Sequence, residues 1–408
     1  MTLIVQKYGG HALRDLQGVR QVARRVADFH AAGQQLVVVV SAMAGETDRL
    51  IALAGELAAN PEPRELDVLL ATGEQVAVGL VSMALRSIGV DAKSYLGGQV
   101  RILTDREHTQ ARILGVEAEA IRGDLQSGKV VVVAGFQGVD ADGNITTLGR
   151  GGADATGVAL AAALGADECQ IHTDIDGVYT ADPHVVPDAR KLDRITFEEM
   201  LELTSLGSRV LQLRAVEFAG KHKVKLRVLS CEQEGGEGTL ITFDEGQDME
   251  QPHIAGIAFN RDEAKITLLG VRDKPGIAYQ ILGPVAAAKI DVDMIIQNVG
   301  HDGMTDFSFT VRRDDLERAM AVLEAIREHV GARAIEGDKT MAKVSVVGVG
   351  MRSHPGVASL MFRTLAEEGI NIQMISTSEI KISVAIDEKY VELAARVLHK
   401  AFGLESSA

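Results

Sequence analysis

The chain has 408 residues, of which 46% are hydrophobic, and it carries a formal net charge of −15 with a pI near 5.2. This length predicts about two or three domains, and the acidic balance argues against partners such as nucleic acid or an anionic membrane, which both reward basic surfaces. The two cysteines, Cys169 and Cys231, lack metal-ligand spacing and suit a reducing cytosol. Because no apolar run reaches about 18 residues and no signal segment opens the chain, we expect a cytoplasmic protein.

Apolar runs alternate with helical patterns through residue 244, which predicts an α/β fold with a mostly parallel sheet between helical layers. Two of the strands are almost continuously apolar, as expected of strands that are covered on both faces. The predicted elements in chain order are a helix at 13–29, a strand at 35–43, a helix at 65–88, a strand at 129–138, a helix after Gly152 and a strand at 167–177.

The C-terminal part of the chain contains an internal repeat. Residues 265–278 match 343–358, and the pairs Pro275/Pro355 and Met294/Met374 are both 80 positions apart. Each copy reads strand, turn, helix, strand, strand, helix, which predicts two tandem α+β modules of the split βαβ, ferredoxin-like type. The predicted boundaries are 1–244 for the α/β domain, 245–262 for a linker with a possible edge strand, 263–338 for the first module and 339–408 for the second.

Glycine pairs follow two of the predicted strands. In "VQKYGGHAL", Lys7 precedes Gly9 and Gly10, and the next helix would aim its N–H groups at an anion; a phosphate seat and a simple tight turn both fit. In "TTLGRGGADATG", Arg150 precedes a glycine turn that opens a helix with Asp154. An Asp there could be only an N-cap, but the adjacent arginine favours capture of a carboxylate or phosphate.

Other strand ends also carry polar residues. Ser41 and Thr47 offer hydroxyls after a strand, and Glu74 near a helix start could compensate the helix dipole or accept from an ammonium group. The stretch "HTDIDGVYTADP" (172–183) could be an ordinary loop or could line a nucleotide site. The sequence lacks the P-loop motif and has no G-x-G-x-x-G after its first strand, which disfavours P-loop and dinucleotide-binding enzymes.

Taken together, these motifs are identified with a known family. "VQKYGG", "VVVVSAMAGET", "TGEQV", "ITTLGRGG", "DGVYTADP", "GVGMRSHPGVAS" and "INIQMISTSEIKISV" resemble the aspartate kinases of the amino-acid kinase family, in order and over essentially the whole chain. The resemblance implies an amino-acid kinase domain with a three-layer αβα fold, followed by two ACT modules. It also implies ATP-dependent phosphorylation of the L-aspartate side chain to 4-phospho-L-aspartate, the first step towards lysine, threonine and methionine.

The resemblance assigns expected roles to residues of this chain. ATP is the expected cosubstrate, and Mg²⁺ is expected to be held mainly by ATP, with no dedicated protein ligands. The expected kinase-site residues are, as catalytic, Lys7 and Asp154; as phosphate-binding, Gly9, Gly10, Gly151 and Gly152; as aspartate-binding, Thr47, Glu74, Arg150 and Ala153; and as ATP-binding, Ser41, Thr173, Asp174, Tyr179, Asp182 and Arg209.

The ACT modules are expected to bind amino-acid effectors, for which the resemblance suggests lysine and threonine, and to pair across subunits in a homo-oligomer. A Pro-Gly turn that opens a helix frees N–H groups for an effector carboxylate. The expected effector-binding residues are Asp273, Gly276, Ile277, Ala278, Gln297, Asn298, Ser353, Gly356, Val357, Asn371 and Ile372, of which Gln297, Asn298, Asn371 and Ile372 are expected on the facing strands.

The chain departs from the family pattern mainly by losing hydroxyls. The departures are His11, Ala12, Ala153, Ala155, His184 and Arg209. Each lost neutral hydrogen bond is worth about 1 kcal/mol. A catalytically weak or inactive regulatory paralogue that binds amino acids, and a kinase for an aspartate analogue, are therefore the alternatives to an aspartate kinase. At position 11, the histidine is either a replacement phosphate donor or a tolerated loop residue.

Overall fold

A computed structural model of the chain describes residues 1–207, 210–233, 235–243, 253–299, 303–351 and 354–405. These residues form two compact units, which are described separately. The first unit comprises 1–178, 191–205 and 210–243, and the second comprises 179–190, 206–207 and 253–405.

The first unit is an α/β structure built on an eight-stranded sheet. Its elements are β1 (Leu3–Tyr8), α1 (Leu16–Ala31), β2 (Gln35–Val40), α2 (Glu46–Leu57), α3 (Pro63–Leu70), α4 (Thr72–Ser87), β3 (Ala92–Tyr95), β4 (Ile102–Thr104), β5 (Ile113–Val116), α5 (Glu119–Gln126), β6 (Val130–Ala134), β7 (Gln137–Val139), β8 (Ile145–Thr147), α6 (Gly152–Leu164), β9 (Glu168–Thr173), β10 (Arg194–Thr196), α7 (Phe197–Ser205), α8 (Leu213–His222), β11 (Leu226–Ser230) and β12 (Thr239–Thr242). The strand order is β10-β12-β11-β9-β1-β2-β6-β3, and β5-β4-β7-β8 form a smaller sheet.

Parallel pairing aligns the ends of the central strands. In β1, Lys7 lies opposite Val39 of β2 and Ile171 of β9, and Val40 of β2 lies opposite Ala134 of β6. The strands β1, β2, β6 and β9 therefore end at one edge of the sheet, which we call the carboxyl edge. Only the β11–β12 pair is antiparallel within the described part of this sheet, so the predicted mostly parallel arrangement is confirmed.

The central strands are almost entirely apolar because helices cover both faces of the sheet. The even-numbered residues Ile4 and Tyr8 of β1 pack with α1 and α4, and Val38 of β2 and Val132 of β6 join the same cluster. The odd-numbered Lys7 faces the opposite side, where α6 packs against β1 and β9. This is the expected three-layer αβα arrangement.

The helix after the first glycine pair begins later than expected. Its first residue is Leu16, and the side chain of Asp15 caps it by accepting from the N–H of Gly18 at 2.8 Å. This cap disfavours the expectation that the helix aims free N–H groups at an anion, because the Asp15 carboxylate already accepts from one of those groups. Phosphate binding here would fall to the Gly9–Gly10 turn itself.

The predicted helix 65–88 is present as two consecutive helices, α3 and α4. Within the described residues, Pro63–Ser87 is the one stretch that is long and apolar enough to cross a membrane by length and composition alone. Half of its most apolar window is buried inside the protein. Ala77, Val78, Val81 and Leu85 of α4 lie in the core beside α1, which is the environment of a core helix.

The second unit contains two four-stranded antiparallel sheets, each with two helices. Its elements are β13 (His253–Asn260), β14 (Ala264–Arg272), α9 (Ile277–Ala287), β15 (Val292–Val299), β16 (Met304–Val311), a 3₁₀ helix (Arg313–Asp315), α10 (Leu316–Val330), β17 (Ala334–Asp338), β18 (Met341–Val349), α11 (Pro355–Glu367), β19 (Met374–Thr377), β20 (Lys381–Asp387), a 3₁₀ helix (Glu388–Tyr390) and α12 (Val391–Ala401). The strand orders are β15-β16-β14-β17 and β13-β18-β20-β19.

The second module takes its edge strand from the predicted linker. β13 pairs antiparallel with β18, whereas the first module completes its own sheet with β17. The two repeats therefore share the βαββα pattern but take their fourth strand from opposite ends, and the second module is discontinuous along the chain. The segment 179–190 also belongs to this unit, where Ala181, Val186 and Ala189 join the core of the second module.

One prediction about the facing strands is wrong. Gln297 and Asn298 lie on β15 as expected, but Asn371 and Ile372 precede β19, which begins at Met374. Pairing with β20 starts only where the N–H of Gln373 bonds to the carbonyl of Ala385. The two sets of residues are thus not equivalent positions of the repeat.

Candidate active site

The first glycine pair brings a lysine and an aspartate together at the carboxyl edge. Lys7 Nζ lies 2.6 Å from Asp154 Oδ1, and the two side chains are only 12% and 10% exposed. Gly9 leaves space beside this amine, because a Cβ on Gly9 would lie 3.4 Å from Lys7 Nζ. A Cβ on Gly10 would lie 3.0 Å from the carbonyl of Ala42, so Gly10 lets β1 and the loop after β2 approach closely.

The second glycine pair opens α6 with an uncapped N-terminus. Gly151 is the N-cap residue, has a φ of +74°, and provides no side-chain cap. A Cβ on Gly151 would lie 2.1 Å from Gln212 Cγ, and one on Gly152 would lie 2.7 Å from Leu148 Cβ, so both glycines are sterically required. Asp154 does not cap the helix; its carboxylate pairs with Lys7, which rules out the simple capping interpretation.

Glu74 is the most strongly perturbed carboxyl group at this edge. It lies in the first turn of α4, is 3% exposed, and its Oε1 accepts from the N–H of Ala42 at 2.8 Å. Burial raises the pKa of Glu74 to about 7, although the Ala42 N–H bond opposes the shift. Its Oε2 is buried and has no hydrogen-bond partner within the part of the chain that the structure describes. Such an atom needs a donor, which an ammonium group would supply.

The remaining predicted kinase-site residues are placed with less contact to this centre. Ser41 follows β2 and precedes Ala42, Thr47 is half-buried in α2, and Arg150 is exposed before Gly151. Thr173 ends β9, and its hydroxyl donates to Asp174 at 2.9 Å.

Other predicted residues lie elsewhere or outside the described residues. Tyr179 and Asp182 belong to the second unit: Tyr179 packs against the core of the second module, and Asp182 accepts from the N–H of His184. Arg209 and Ser353 lie outside the described residues.

His11 does not face Lys7 in this structure. Its Nε2 lies 3.0 Å from Glu232 Oε1, and both side chains are about half exposed. Arg14 reaches the same carboxylate at 3.5 Å. The tolerated-loop interpretation of His11 therefore describes this arrangement better than the phosphate-donor interpretation does.

Sequence reasoning missed two residues that shape the turn after β6. Phe136 has a φ of +66°, which is unusual for a bulky residue, and its N–H donates to Thr156 Oγ1 at 3.2 Å. Thr156 in turn donates to the carbonyl of Gly152 at 2.9 Å, and so connects this turn to the start of α6. The preceding Gly135 could have signalled the turn, because it follows an apolar strand as Gly9 and Gly10 do. A Cβ there would lie 2.9 Å from Ala153 Cβ.

Comparison with known proteins decides the family. Residues 2–230 match the amino acid kinase family, and residues 265–328 and 344–402 each match an ACT domain. An aspartokinase from Pseudomonas aeruginosa is 64% identical, over 100% of this chain and 99% of its own length. The chain belongs to the aspartokinases of the amino acid kinase family.

Solved structures agree with this membership. E. coli aspartokinase III in complex with lysine and aspartate is similar with a TM-score of 0.77 and 25% identity, over 98% of this chain and 99% of that one. The same E. coli enzyme in complex with aspartate and ADP gives a TM-score of 0.81 at 24% identity, over 98% and 100%, which supports the fold alone. The family, fold class and aspartate kinase activity expected from the resemblance are thereby confirmed, whereas the roles of individual residues stay predictions.

Proposed function

We propose that this aspartokinase uses the carboxyl edge to transfer the γ-phosphoryl group of ATP to the side-chain carboxylate of L-aspartate. The observation that carries the proposal is the largely buried Lys7–Asp154 pair beside Gly9 and the N-terminus of α6, which has no side-chain cap. The Lys7 ammonium group, whose charge is partly balanced by Asp154, and the N-terminus of α6 would both attract an oxyanion. No side-chain nucleophile is required, because the substrate carboxylate attacks the phosphorus itself.

Catalysis by these groups would consist of positioning and charge neutralisation. The attacking carboxylate and the triphosphate repel each other, so Lys7 and the backbone N–H groups of Gly10 and Gly151 would lower the barrier by stabilising negative charge on the transferring group. Gly9 and Gly152 would instead let the backbone approach the phosphates closely, because their own N–H groups donate to the carbonyls of His172 and Gly149. Mg²⁺ would be bound mainly by the phosphates, where it neutralises charge, with Asp154 as the nearby carboxylate.

The aspartate substrate would be oriented by groups of opposite charge. The free Oε2 of Glu74 would accept from the substrate ammonium, and Arg150 would hold a carboxylate. Thr47 and Ala153 would line the same pocket. A buried ionised carboxylate paired with an ammonium discriminates strongly against substrates that lack the amino group, because Glu74 would then be left unpaired.

The nucleotide would lie beyond the ends of β2 and β9. Ser41 follows β2 and Thr173 is the last residue of β9, so both lie at the carboxyl edge, where ligands of open parallel sheets bind. Asp174 adjoins Thr173 and suits a ribose hydroxyl. The assignment of Tyr179, Asp182 and Arg209 to ATP binding rests on the family resemblance alone and stays a prediction.

The ACT modules would provide feedback control by lysine and threonine in a homo-oligomer. α9 begins at Ile277 after Gly276, with a φ of +87° and no side-chain cap, so its N-terminal N–H groups are available to an effector carboxylate. Gly356 and Val357 lie in the first turn of α11, which also lacks a side-chain cap. The two free cysteines, of which Cys169 is buried, suit the proposed cytoplasmic location.

The proposal is tested by incubating the protein with ATP, Mg²⁺ and L-aspartate, and trapping acyl phosphate with hydroxylamine. We expect hydroxamate with L-aspartate and little with succinate, which has both carboxylates but no ammonium for Glu74. A panel of aspartate analogues in the same assay identifies a different preferred substrate.

Two outcomes would contradict the proposal. Absence of hydroxamate from folded protein that still binds lysine or threonine would support the inactive regulatory paralogue. Equal turnover of succinate and aspartate would show that Glu74 does not bind the substrate ammonium.

A further inference from the structure

A carboxylate outside the site described above is completely buried. Asp67 of α3 has no exposed surface, yet it carries two oxygens that need donors. The N–H of Thr109 donates to both oxygens, at 3.0 and 3.1 Å, and His108 Nδ1 lies 2.7 Å from Oδ2. The hydroxyl of Thr147 donates to Oδ1. A buried carboxylate with this many donors is a rigid anchor for the segments that supply them.

The segment on one side of Asp67 is strained. Thr109 has a φ of +69°, a left-handed conformation that a β-branched residue rarely adopts. Such conformations persist only where the surroundings enforce them, and they concentrate near functional sites. The two bonds from Thr109 N–H to Asp67, together with the neighbouring His108, account for the enforcement here.

The segment on the other side leads directly to Arg150. Thr147 is the last residue of β8 and is followed by Leu148 and Gly149. Gly149 has a φ of +72°, and a Cβ there would lie 3.1 Å from the carbonyl of Thr109, so the two segments touch at this point. Arg214 of α8 bridges them again, since its guanidinium donates to the carbonyls of Leu148 at 2.8 Å and Ala111 at 2.7 Å.

We infer that Asp67, with His108 and Thr147, positions the 147–150 segment so that Arg150 meets the substrate carboxylate. The inference rests on the proposed function, because it assigns these residues to the aspartate end of that site. They act through Arg150 and do not touch the substrate. A displacement of about 1 Å in such a group can cost on the order of 100-fold, so loss of the anchor weakens aspartate binding while nucleotide binding is kept.

Thr147→Val tests the inference, with Thr146→Val as its matched control. Both threonines are buried neighbours on β8, but the Thr146 hydroxyl lies 2.6 Å from that of Thr104 and not at Asp67. We expect Thr147→Val to raise KM for aspartate about tenfold or more, with KM for ATP unchanged, since only the segment leading to Arg150 is released. Thr146→Val should leave both constants unchanged. Asp67→Asn should behave as Thr147→Val does, and more strongly.

Two further measurements separate positioning from general destabilisation. In an Arg150→Lys background, Thr147→Val should add no further loss of aspartate affinity, because both changes act on the same contact. Aspartate dissociation constants from calorimetry give the same comparison even without turnover, so a wild-type protein that binds aspartate but yields no hydroxamate contradicts only the proposed function. Equal KM values for the Thr146 and Thr147 variants, or additive losses with Arg150→Lys, would overturn the inference.

Discussion

Two lysines with little exposed surface, one in each unit, show how the same pair of charges serves different purposes. Lys7 pairs with Asp154 at the end of β1, where both side chains keep about a tenth of their surface exposed. Lys343 lies within β18 and pairs with Glu263 at 2.7 Å, with the two side chains 4% and 5% exposed. Asp293 of the first module also pairs with Lys343, so this ammonium connects the two ACT modules.

The difference lies in how many acceptors surround each ammonium group. Burial alone would lower the pKa of Lys343, but Glu263 and Asp293 outweigh it and hold that pKa above its usual value. The positive charge of Lys343 is therefore balanced by carboxylates of the protein itself. Lys7 faces Asp154 on one side and the space left by Gly9 on the other, so it retains capacity for an incoming anion. A surplus of carboxylates indicates structural use of a buried lysine, and a neighbouring glycine indicates ligand binding.

Lys7→Met should cause the largest change in activity. Removal of the ammonium should lower kcat by about 10³-fold, because charge on the transferring phosphoryl group is then left unneutralised. Stability should fall much less, since Asp154 remains in the first turn of α6, where the helix dipole favours a negative charge. Hydroxamate formation measures the first effect, and thermal unfolding the second.

Lys93→Met is the matched control for this prediction. Lys93 lies on β3 of the same sheet and pairs with Asp124 at 2.9 Å, but away from the carboxyl edge residues discussed above. Its replacement should leave kcat unchanged. A Lys7→Met enzyme with near-normal kcat would mean that this lysine is structural, as Lys343 is, and the contrast between the two would fail.

Lys343→Met should show the opposite separation. The substitution leaves the buried Glu263 carboxylate without its lysine partner, which should lower the free energy of unfolding by about 3 kcal/mol. The kcat measured without effector should stay unchanged. Calorimetric unfolding measures the loss. The further change Glu263→Gln should recover part of it, and Lys265→Met, which removes an exposed bond to Gln373, should cost little. Unchanged stability in Lys343→Met would show that the ammonium is dispensable for joining the modules.

The parts of the fold that depend on local pattern could be predicted from the sequence. Alternating apolar runs and helical spacing predicted the α/β unit, and the repeat around Met294 and Met374 predicted the two modules. The pairing of β13 with β18 could not be predicted, because those strands are separated by the entire first module. Nothing in the local sequence of 253–260 distinguishes a strand of the second sheet from an edge strand of the first.

The residues of the candidate active site likewise divide into those that could be predicted from the sequence and those that could not. The glycine turns after predicted strands singled out Lys7 and Asp154 as candidate ligand-binding residues, and the structure places these two side chains in contact. The anchor at Asp67 was missed, because an aspartate within a helical pattern reads as a surface residue. Its role depends on Thr109 and Thr147, which the folded chain brings together from distant positions. The start of α1 at Leu16 was also missed, although Asp15, a favoured N-cap residue type, directly precedes it.

Glu74→Gln extends the comparison of the two lysines to a buried carboxylate, whose Oε2 has no hydrogen-bond partner among the described residues. The variant should raise KM for aspartate by about 10- to 100-fold, the worth of a charged hydrogen bond. In the wild type, kcat/KM for aspartate should fall as the pH drops below about 7, because protonated Glu74 no longer attracts an ammonium. The variant should lose this pH dependence, and a wild-type profile that is flat from pH 6 to 8 would contradict the assignment.

The same group affects stability in the opposite direction. The folded-state pKa of Glu74 is raised to about 7 from 4.5, so the folded protein holds a proton that the unfolded chain releases. Stability is therefore lost as the pH rises from 4.5 through 7, by roughly 3 kcal/mol for a shift of this size. Urea unfolding across this range should show the loss in the wild type and a smaller one in Glu74→Gln.

His11→Ala should have the smallest effect, because its partner is exposed. His11 and Glu232 are 49% and 57% exposed, unlike either lysine pair, and exposed pairs contribute little. The hydrogen bond from His11 is the main reason that the pKa of Glu232 lies below its usual value. We expect kcat and both KM values to stay within about twofold of wild type. Glu232→Gln separates the interpretations: if His11 leaves this carboxylate to bind phosphate during turnover, His11→Ala should raise KM for ATP strongly while Glu232→Gln does not.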